Sequence, residues 1–363
     1  MIPSACRNFS AWNPLSRRSA TLLSFISVLI VALPIAARPP ADPAPTGYAV
    51  RQDVRAFIRE MADEHGFDRA SLRRTFGEAR YRREIVAAMD RPVLEPPKWY
   101  VYVRPFLAPE RVAAGVAYWN AHPNELAQAE ERYGVPADII VAILGIETHY
   151  GKNTGKYRTI DALATLAFDY PRRAAFFRGE LKQFLLLTRE LGVSPLVPKG
   201  SFAGALGVPQ FMPGSYRGYA VDAAGAGHAD LWANSADIAA SVANYLARHD
   251  WRPGGPTLLP AIIADATRGE MLHRLDGGLS ERRTVEAWAA DGVTFAEPQG
   301  GAPVDPVGLL LLEENAEGVE GASYWMALNN FYVLTRYNRS RLYAAAVCEL
   351  AKAIKSAHGD LIR

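Results

Sequence analysis

Glu147 is the residue best placed to do chemistry. It closes an apolar run, Ile139-Ile140-Val141-Ala142-Ile143-Leu144-Gly145-Ile146, and is followed directly by Thr148-His149-Tyr150-Gly151. Pro136 and Asp138 stand where a helix would start and Gly151 where it would stop. A helix apolar on every side belongs in a core. A carboxylate at the end of such a helix is desolvated, which disfavours its charged form and raises its pKa. A group of that kind can hold a proton near neutral pH and hand it to a leaving group, the task of a general acid. The competing reading is a buried Glu neutralised by a neighbouring Arg, and this residue alone does not choose between the two.

Other patterns invite chemistry and fail on detail. Gly151-Lys-Asn-Thr-Gly-Lys-Tyr157 is one residue short of a phosphate-binding loop, ends in Tyr instead of Ser or Thr, and follows a helix instead of a strand. Gly214-Ser215-Tyr216-Arg217-Gly218 places its Ser beside the first Gly, so it is no nucleophile elbow. No H-E-x-x-H or Cys/His metal spacing occurs. Residues 222–233 read D-A-A-G-A-G-H-A-D-L-W-A, with Gly227 at the turn position of an EF-hand loop. Asp222 and Asp230 remain, but Ala224, Ala226 and Ala233 occupy positions that should supply oxygen ligands. This is a degenerate loop, and no metal or cofactor is expected. The pair Arg172-Arg173 follows Pro171, which is expected to open a helix through about Leu191. Two cations in a first turn oppose the macrodipole, and a broken local rule is a reason to look for function.

The elements that must position these residues are mostly helical. Of 363 residues, 49% are hydrophobic and 21% charged, an ordinary globular balance and not a disordered one. Arg7, Arg17 and Arg18 precede an apolar stretch over residues 20–33 that is short for a membrane span. Residues 1–37 read as a signal peptide for export to the periplasm, with an uncleaved anchor as the alternative, and 38–47 as a linker. Removing the leader leaves 37 basic against 38 acidic residues, which gives no case for nucleic-acid binding. Cys6 falls in the leader, so Cys348 is left alone, in an apolar helical pattern. Two short helical patterns run from Val50 to Met89 around the turn His65-Gly66-Phe67-Asp68, and residues 92–97 are extended. Trp99, Tyr100 and Tyr102 cluster, and residues 108–133 form one long helix or a broken pair. Residues 199–218 are rich in Gly, Ser and Pro, which suits backbone lying close to a ligand. Residues 235–249 are helical; 258–264, 307–312 and 331–335 read as strands; Ser280 is expected to cap a helix to about Asp291; residues 341–358 form a last helix.

Several motifs in consistent order resemble the lytic murein transglycosylase B family. They are Gly145-Ile-Glu147-Thr-His-Tyr-Gly151, Asp161-Ala-Leu-Ala-Thr165, Tyr170-Pro-Arg-Arg173, Lys199-Gly-Ser-Phe-Ala-Gly-Ala205, Pro209-Gln-Phe-Met-Pro213 and Thr335-Arg-Tyr-Asn338. The resemblance implies a mainly α (α+β) protein: a helical region at 48–110, a lysozyme-like catalytic core at 111–255, a small β-containing domain at 256–335 and a helix at 336–363 returning to the core. It implies a monomer acting on the glycan strands of peptidoglycan, alongside other cell-wall enzymes. Such enzymes cut between N-acetylmuramic acid and N-acetylglucosamine without water and leave a 1,6-anhydro ring. Glu147 matches the single catalytic acid/base. Tyr102, Arg172, Arg173, Ser201, Gln210, Tyr245, Tyr337, Asn338 and Tyr343 match residues lining the cleft.

The chemistry is consistent with one carboxylate. Glycosidases ordinarily use two, one to protonate the leaving oxygen and one as base or nucleophile. A single Glu suffices where the sugar supplies its own nucleophile. Two alternatives stay open: a hydrolytic muramidase, with Asp161 or Asp169 as its second carboxylate, and a peptidoglycan-binding protein without catalysis. Arg172 and Arg173 either pair with substrate carboxylates or form structural ion pairs.

Overall fold

The computed structural model describes residues 47–91, 97–275, 278–295, 303, 305–316 and 318–362. The expected leader, the linker up to residue 46 and the extended segment at 92–96 lie outside the described residues. Three helices open the described chain where the sequence suggested two: α1 (Gln52–His65), α2 (Arg69–Glu78) and α3 (Arg83–Met89). The turn between the first two follows from its residues. Gly66 takes the left-handed conformation at the end of α1, and Asp68 accepts a hydrogen bond from the Ser71 N–H at 2.6 Å to start α2.

Next come α4 (Trp99–Val103), α5 (Pro109–Ala121), α6 (Pro123–Tyr133) and α7 (Ala137–Thr148). The long pattern over 108–133 is a broken pair, because Pro123 has no N–H to continue a helix and sits at the first position of a new one. Every residue of α7 from Ala137 to Gly145 is buried. Helix α7 lies against α5, and Gly115 and Gly145 permit the close approach: a Cβ at either would meet the Tyr150 hydroxyl at 2.6 Å. Burial of Ile139, Ile140, Val141, Ile143 and Leu144 contributes on the order of 10 kcal/mol gross, so α7 is a rigid support for what stands at its end.

The polar stretch after α7 leads into β1 (Tyr157–Arg158) and α8 (Thr159–Asp169). Residues Pro171–Arg173 form a 3-10 turn, and α9 (Ala174–Glu190) starts only after it. Arg172 and Arg173 are therefore not in the first turn of an α-helix, which corrects the sequence reading and removes its macrodipole argument. Strand β2 (Lys199–Gly200) pairs antiparallel with β1, and α10 (Pro213–Tyr219) and α11 (Ser235–Arg248) complete this helical body.

The small sheet has the order β4-β3-β6-β5, with neighbouring strands antiparallel: β3 (Leu258–Ile263), β4 (Val293–Phe295), β5 (Gly308–Ala316) and β6 (Val319–Ala327). Two short helices, α12 (Arg268–Arg274) and α13 (Val285–Ala290), lie within its chain span. Ser280 does not cap α13. Thr284 does, and the Ser280 hydroxyl instead donates to the Glu281 carbonyl and accepts the Leu309 N–H of β5. Leu309-Leu310-Leu311-Leu312 is apolar throughout because β5 packs on both faces. Leu309 and Leu311 join the sheet's own core around Trp288, while Leu310 and Leu312 join the main helical core.

The expected strand at 331–335 is instead part of α14 (Asn329–Tyr337). The buried positions Asn330, Phe331, Val333 and Leu334 fit helical spacing, which a five-residue window was too short to show. The terminal helix α15 (Arg341–Ile362) returns to pack on α7 and α5. Among the described residues no helix is long and apolar enough to cross a membrane.

Candidate active site

Helix α7 ends abruptly after Glu147 and Thr148. His149 and Tyr150 both take left-handed backbone conformations, with φ of 53° and 58°. For non-glycine residues each such conformation costs roughly 1–2 kcal/mol, which the burial of α7 easily outweighs. The ending is closed by local bonds: His149 N–H to the Gly145 carbonyl at 3.2 Å, Tyr150 N–H to the Leu144 carbonyl at 3.1 Å, and the Arg111 guanidinium to the Gly145 carbonyl at 2.5 Å. The Tyr150 hydroxyl donates to the Arg111 carbonyl at 3.0 Å.

Glu147 is half-buried as a residue, with protein packed densely around its carboxylate. The Tyr343 hydroxyl of α15 donates to its Oε1 at 2.7 Å. Burial pushes the Glu147 carboxyl up to about 7, against the opposing pull of that hydrogen bond. Among the described residues no cation pairs with it, so the neutralised-Glu reading fails on geometry.

Tyr102, Tyr337 and Tyr343 gather around this carboxylate. Burial first and the Glu147 charge second push the Tyr102 hydroxyl up to about 12, and the same two causes raise Tyr337 and Tyr343 well above their ordinary value. The rings of Tyr337 and Tyr343 are nearly parallel, 6.4 Å apart at 10°. Tyr337 donates to the Pro209 carbonyl at 2.6 Å, and Tyr245 to the Arg336 carbonyl at 2.7 Å while its ring meets that of Tyr337 at 5.0 Å. The Tyr337 and Tyr245 hydroxyls therefore hold backbone, and of these tyrosines Tyr102 and Tyr337 keep part of their surface exposed while Tyr245 and Tyr343 are buried. Asn338, only 6% exposed, has a side-chain oxygen without a hydrogen-bond partner. A buried acceptor left unpaired is costly and points to a missing donor.

Ser201 and Gln210 lie on the glycine-rich loop. Ser201 Oγ accepts from the Ala203 and Ala205 N–H groups at 3.3 and 3.0 Å. Gln210 sits at φ 54°, and its Nε2 donates to the Gly207 and Thr154 carbonyls. The loop's glycines make room for the protein's own backbone: a Cβ on Gly200 would meet the Ala205 carbonyl oxygen at 2.1 Å, and one on Gly207 the Leu231 carbonyl oxygen at 2.5 Å. The tight self-packing, not ligand approach, is what these two glycines serve.

The arginines stand apart from this group. Arg172 is 75% exposed and reaches Asp90 at 3.4 Å, whereas the Arg173 guanidinium lies over the rings of Phe176 and Phe177. Asp161 and Asp169, the candidate second carboxylates, are engaged elsewhere. Asp161, with no exposed surface, accepts from the Arg80 N–H and from the guanidinium groups of Arg82 and Arg158. Asp169 accepts from the Tyr48 hydroxyl at 2.6 Å and from Arg51 at 2.5 Å. Both fasten the N-terminal segment to the helical body.

One buried acid with a cleft of tyrosines on a lysozyme-like helical body narrows the comparison with known proteins. A Transglycosylase SLT domain matches residues 49–352. The chain belongs to the SLT transglycosylase family. It is 40% identical over 316 residues to the membrane-bound lytic murein transglycosylase B of Escherichia coli, covering 85% of this chain and 84% of that protein. The soluble lytic transglycosylase SltB1 of Pseudomonas aeruginosa superposes with a TM-score of 0.77 at 42% identity, over 85% of this chain and 99% of the other. The Escherichia coli lytic transglycosylase Slt35 in complex with calcium gives 0.76 at 40% identity, over 86% and 95%.

Calcium in that relative raises the question for this transglycosylase. The 222–233 loop does not fit the ion. The Asp222 carboxylate accepts the Ala226 and Gly227 N–H groups, and Asp230 accepts those of Trp232 and Ala233. Asp237, fully buried, accepts from Ala223, Ala224 and Asp230 N–H at 2.8, 3.0 and 2.8 Å. These carboxylates organise the loop through backbone donors, and the alanines at the remaining ligand positions offer no side-chain oxygen.

Thr148, Arg111 and Tyr150 frame the site, and sequence reading did not single them out. A buried Thr at the end of an apolar run was the one visible signal; Arg111 had none, since it looks like any surface residue of an amphipathic helix.

Proposed function

We propose that this transglycosylase cleaves the β-1,4 bond between N-acetylmuramic acid and N-acetylglucosamine in peptidoglycan, with Glu147 as acid and then base. Protonated Glu147 donates to the glycosidic oxygen as the C1–O bond breaks, and the N-acetylglucosamine leaves with a free 4-hydroxyl. The 2-acetamido oxygen of the muramic acid holds the charge developing at C1. Glu147, now ionised, takes the proton from the C6 hydroxyl, whose oxygen bonds to C1 and closes the 1,6-anhydro ring. Glu147 ends protonated, and no water is consumed.

The observation that carries this reading is the isolation of Glu147 among the described residues: one hydroxyl donor, no cation, and a carboxyl pushed up to about 7. A hydrolytic muramidase would need a second carboxylate, and Asp161 and Asp169 are held by arginines. Tyr102 and Tyr337, both part-exposed, offer faces to sugar rings, whereas Tyr343 is fully buried and serves through its hydrogen bond to Glu147 instead of by stacking. Asn338 offers its unpaired oxygen to an N–H such as that of the acetamido group. The Ser201 hydroxyl, Gln210, Tyr245 and the Arg172-Arg173 pair complete the proposed binding set, the arginines toward anionic peptide stems. The basic, apolar N-terminal segment of the sequence supports export to the periplasm.

Digestion of purified glycan strands followed by mass spectrometry is the test. Anhydro-muramic ends are expected; reducing ends would mean hydrolysis, and intact strands would mean binding alone. Glu147→Gln should keep the fold and lose at least about a hundredfold in turnover. Retention of more than that would remove Glu147 from its role.

A further inference from the structure

Thr148 stands next to Glu147 but faces away from the reacting carboxylate, into the protein, and is 1% exposed. Its hydroxyl donates to the Val208 carbonyl at 2.9 Å, sixty residues along the chain, and accepts the Gly151 N–H at 3.0 Å. A longer contact to the Leu144 carbonyl, 3.4 Å, is the one any helical Thr can make. The first bond ties the end of α7 to the loop that also presents Ser201 and Gln210; the second holds the turn through the left-handed residues His149 and Tyr150.

The bond to Val208 closes a circuit. Val208 N–H donates to the Leu231 carbonyl at 2.8 Å, so the loop is held from behind. The next residue, Pro209, offers its carbonyl to the Tyr337 hydroxyl. Tyr337 lies parallel to Tyr343, and Tyr343 donates to Glu147. From Glu147 the path thus runs through Tyr343, Tyr337, Pro209 and Val208 to Thr148, and back to Glu147 through one peptide bond. Three hydrogen bonds and one parallel ring pair close the circuit and restrict how far the carboxylate drifts relative to the loop.

We propose that Thr148 is a positioning residue, whose hydroxyl sets the register between the Glu147 carboxylate and the 201–210 loop. This rests on the acid/base reading of Glu147. Thr148 touches no substrate; it acts through Val208 and through the turn after α7. A methyl in place of the hydroxyl would leave the Val208 carbonyl and the Gly151 N–H unpaired inside the protein, and both ends of the circuit would shift to find partners. Misplacement of a catalytic group by about an ångström costs up to a hundredfold in rate.

The test compares Thr148→Val, which keeps the shape, with Thr148→Ser, which keeps the hydroxyl, by kcat and KM on soluble glycan strands. Glu147→Gln is the control. The expected result is a fall in kcat of between about tenfold and a hundredfold in the Val variant. Its KM should stay within about threefold, and the Ser variant should recover most of the loss. Should Thr148→Val not fold, Thr148→Ala, which leaves space for a water, is held to the same criteria. The proposal is overturned by an unchanged kcat in the folded variant, by equal losses in Val and Ser, or by a failure of all the substitutions to fold, which would make Thr148 a stability residue only. An active Glu147→Gln would instead overturn the acid/base reading itself.

Discussion

Glu147 and Asp161 are both carboxylates set in the helical body, and they are provided for in opposite ways. Asp161 receives five hydrogen bonds from the Arg80 backbone and the Arg82 and Arg158 guanidinium groups. Among the described residues Glu147 receives one, from a tyrosine. A carboxylate so thoroughly bonded is held in place, whereas burial with a single donor raises the proton affinity of Glu147 into the working range. Burial is common to both residues. What separates the proposed acid catalyst from a structural anchor is the number and charge of the donors around it.

The comparison is broken most severely at Asp161. Asp161→Asn removes the charge that Arg82 and Arg158 converge on and should cost about 2–3 kcal/mol of stability, discounted because both guanidinium groups reach solvent. Turnover per folded molecule should be unchanged. Denaturant melts read the first and active-site-titrated kinetics the second. An Asp161→Asn protein of normal stability with reduced turnover would reverse the roles assigned here.

The opposite effect is expected at Glu147, where the sign follows from the direction of its shift. Its folded pKa lies at about 7, above the unfolded value of 4.5. Below about pH 4 both states hold the proton and the residue costs nothing. As the pH rises, the unfolded chain ionises first, so folding loses stability, and the loss is complete above about pH 7. Glu147→Gln lacks this cost. The variant should match the native protein in acid and exceed it by on the order of 2–3 kcal/mol at about pH 8. A stability difference that stays flat with pH would show that the carboxyl is not strained by its burial.

A third buried carboxylate predicts the smallest effect. Asp237, satisfied by three backbone N–H groups, leaves the 222–233 loop formed by its own donors. Calcium at about 5 mM would stabilise a protein with a 0.5 mM site by roughly 1.4 kcal/mol over chelator. No change in melting temperature is expected here. A rise of several degrees that magnesium does not reproduce would show that the loop binds calcium after all.

Much of the site's logic was legible residue by residue. An apolar run without periodicity identifies a buried helix wherever it occurs, and the one carboxylate at its end must be either paired or shifted. The β5 leucines were legible as a strand for a related reason, since a short apolar run bounded by turn residues fits a strand packed on both faces. Residues 331–335 failed because a five-residue apolar segment fits either period, and only the burial of Asn330 and Leu334 on one helical face distinguishes them. Arg172 and Arg173 failed because a 3-10 turn and an α-helical first turn look alike in sequence.

The chain's linear order determined that Glu147 would be desolvated, that α5 and α6 would part at Pro123, and that the 222–233 loop would lack side-chain oxygens at three ligand positions. These are local consequences of side-chain type and spacing. Whether Glu147 would meet a cation or a tyrosine was not local. Tyr343 lies 196 residues away, Val208 lies sixty residues from Thr148, and the arginines that could have neutralised a carboxylate converge on Asp161 instead. Such pairings are set when α15 closes over α7 and β5 packs between two cores. Tertiary packing alone decided which of the buried carboxylates would be left free to exchange a proton, because a hydrogen bond or ion pair depends on distance in space and not on separation along the chain.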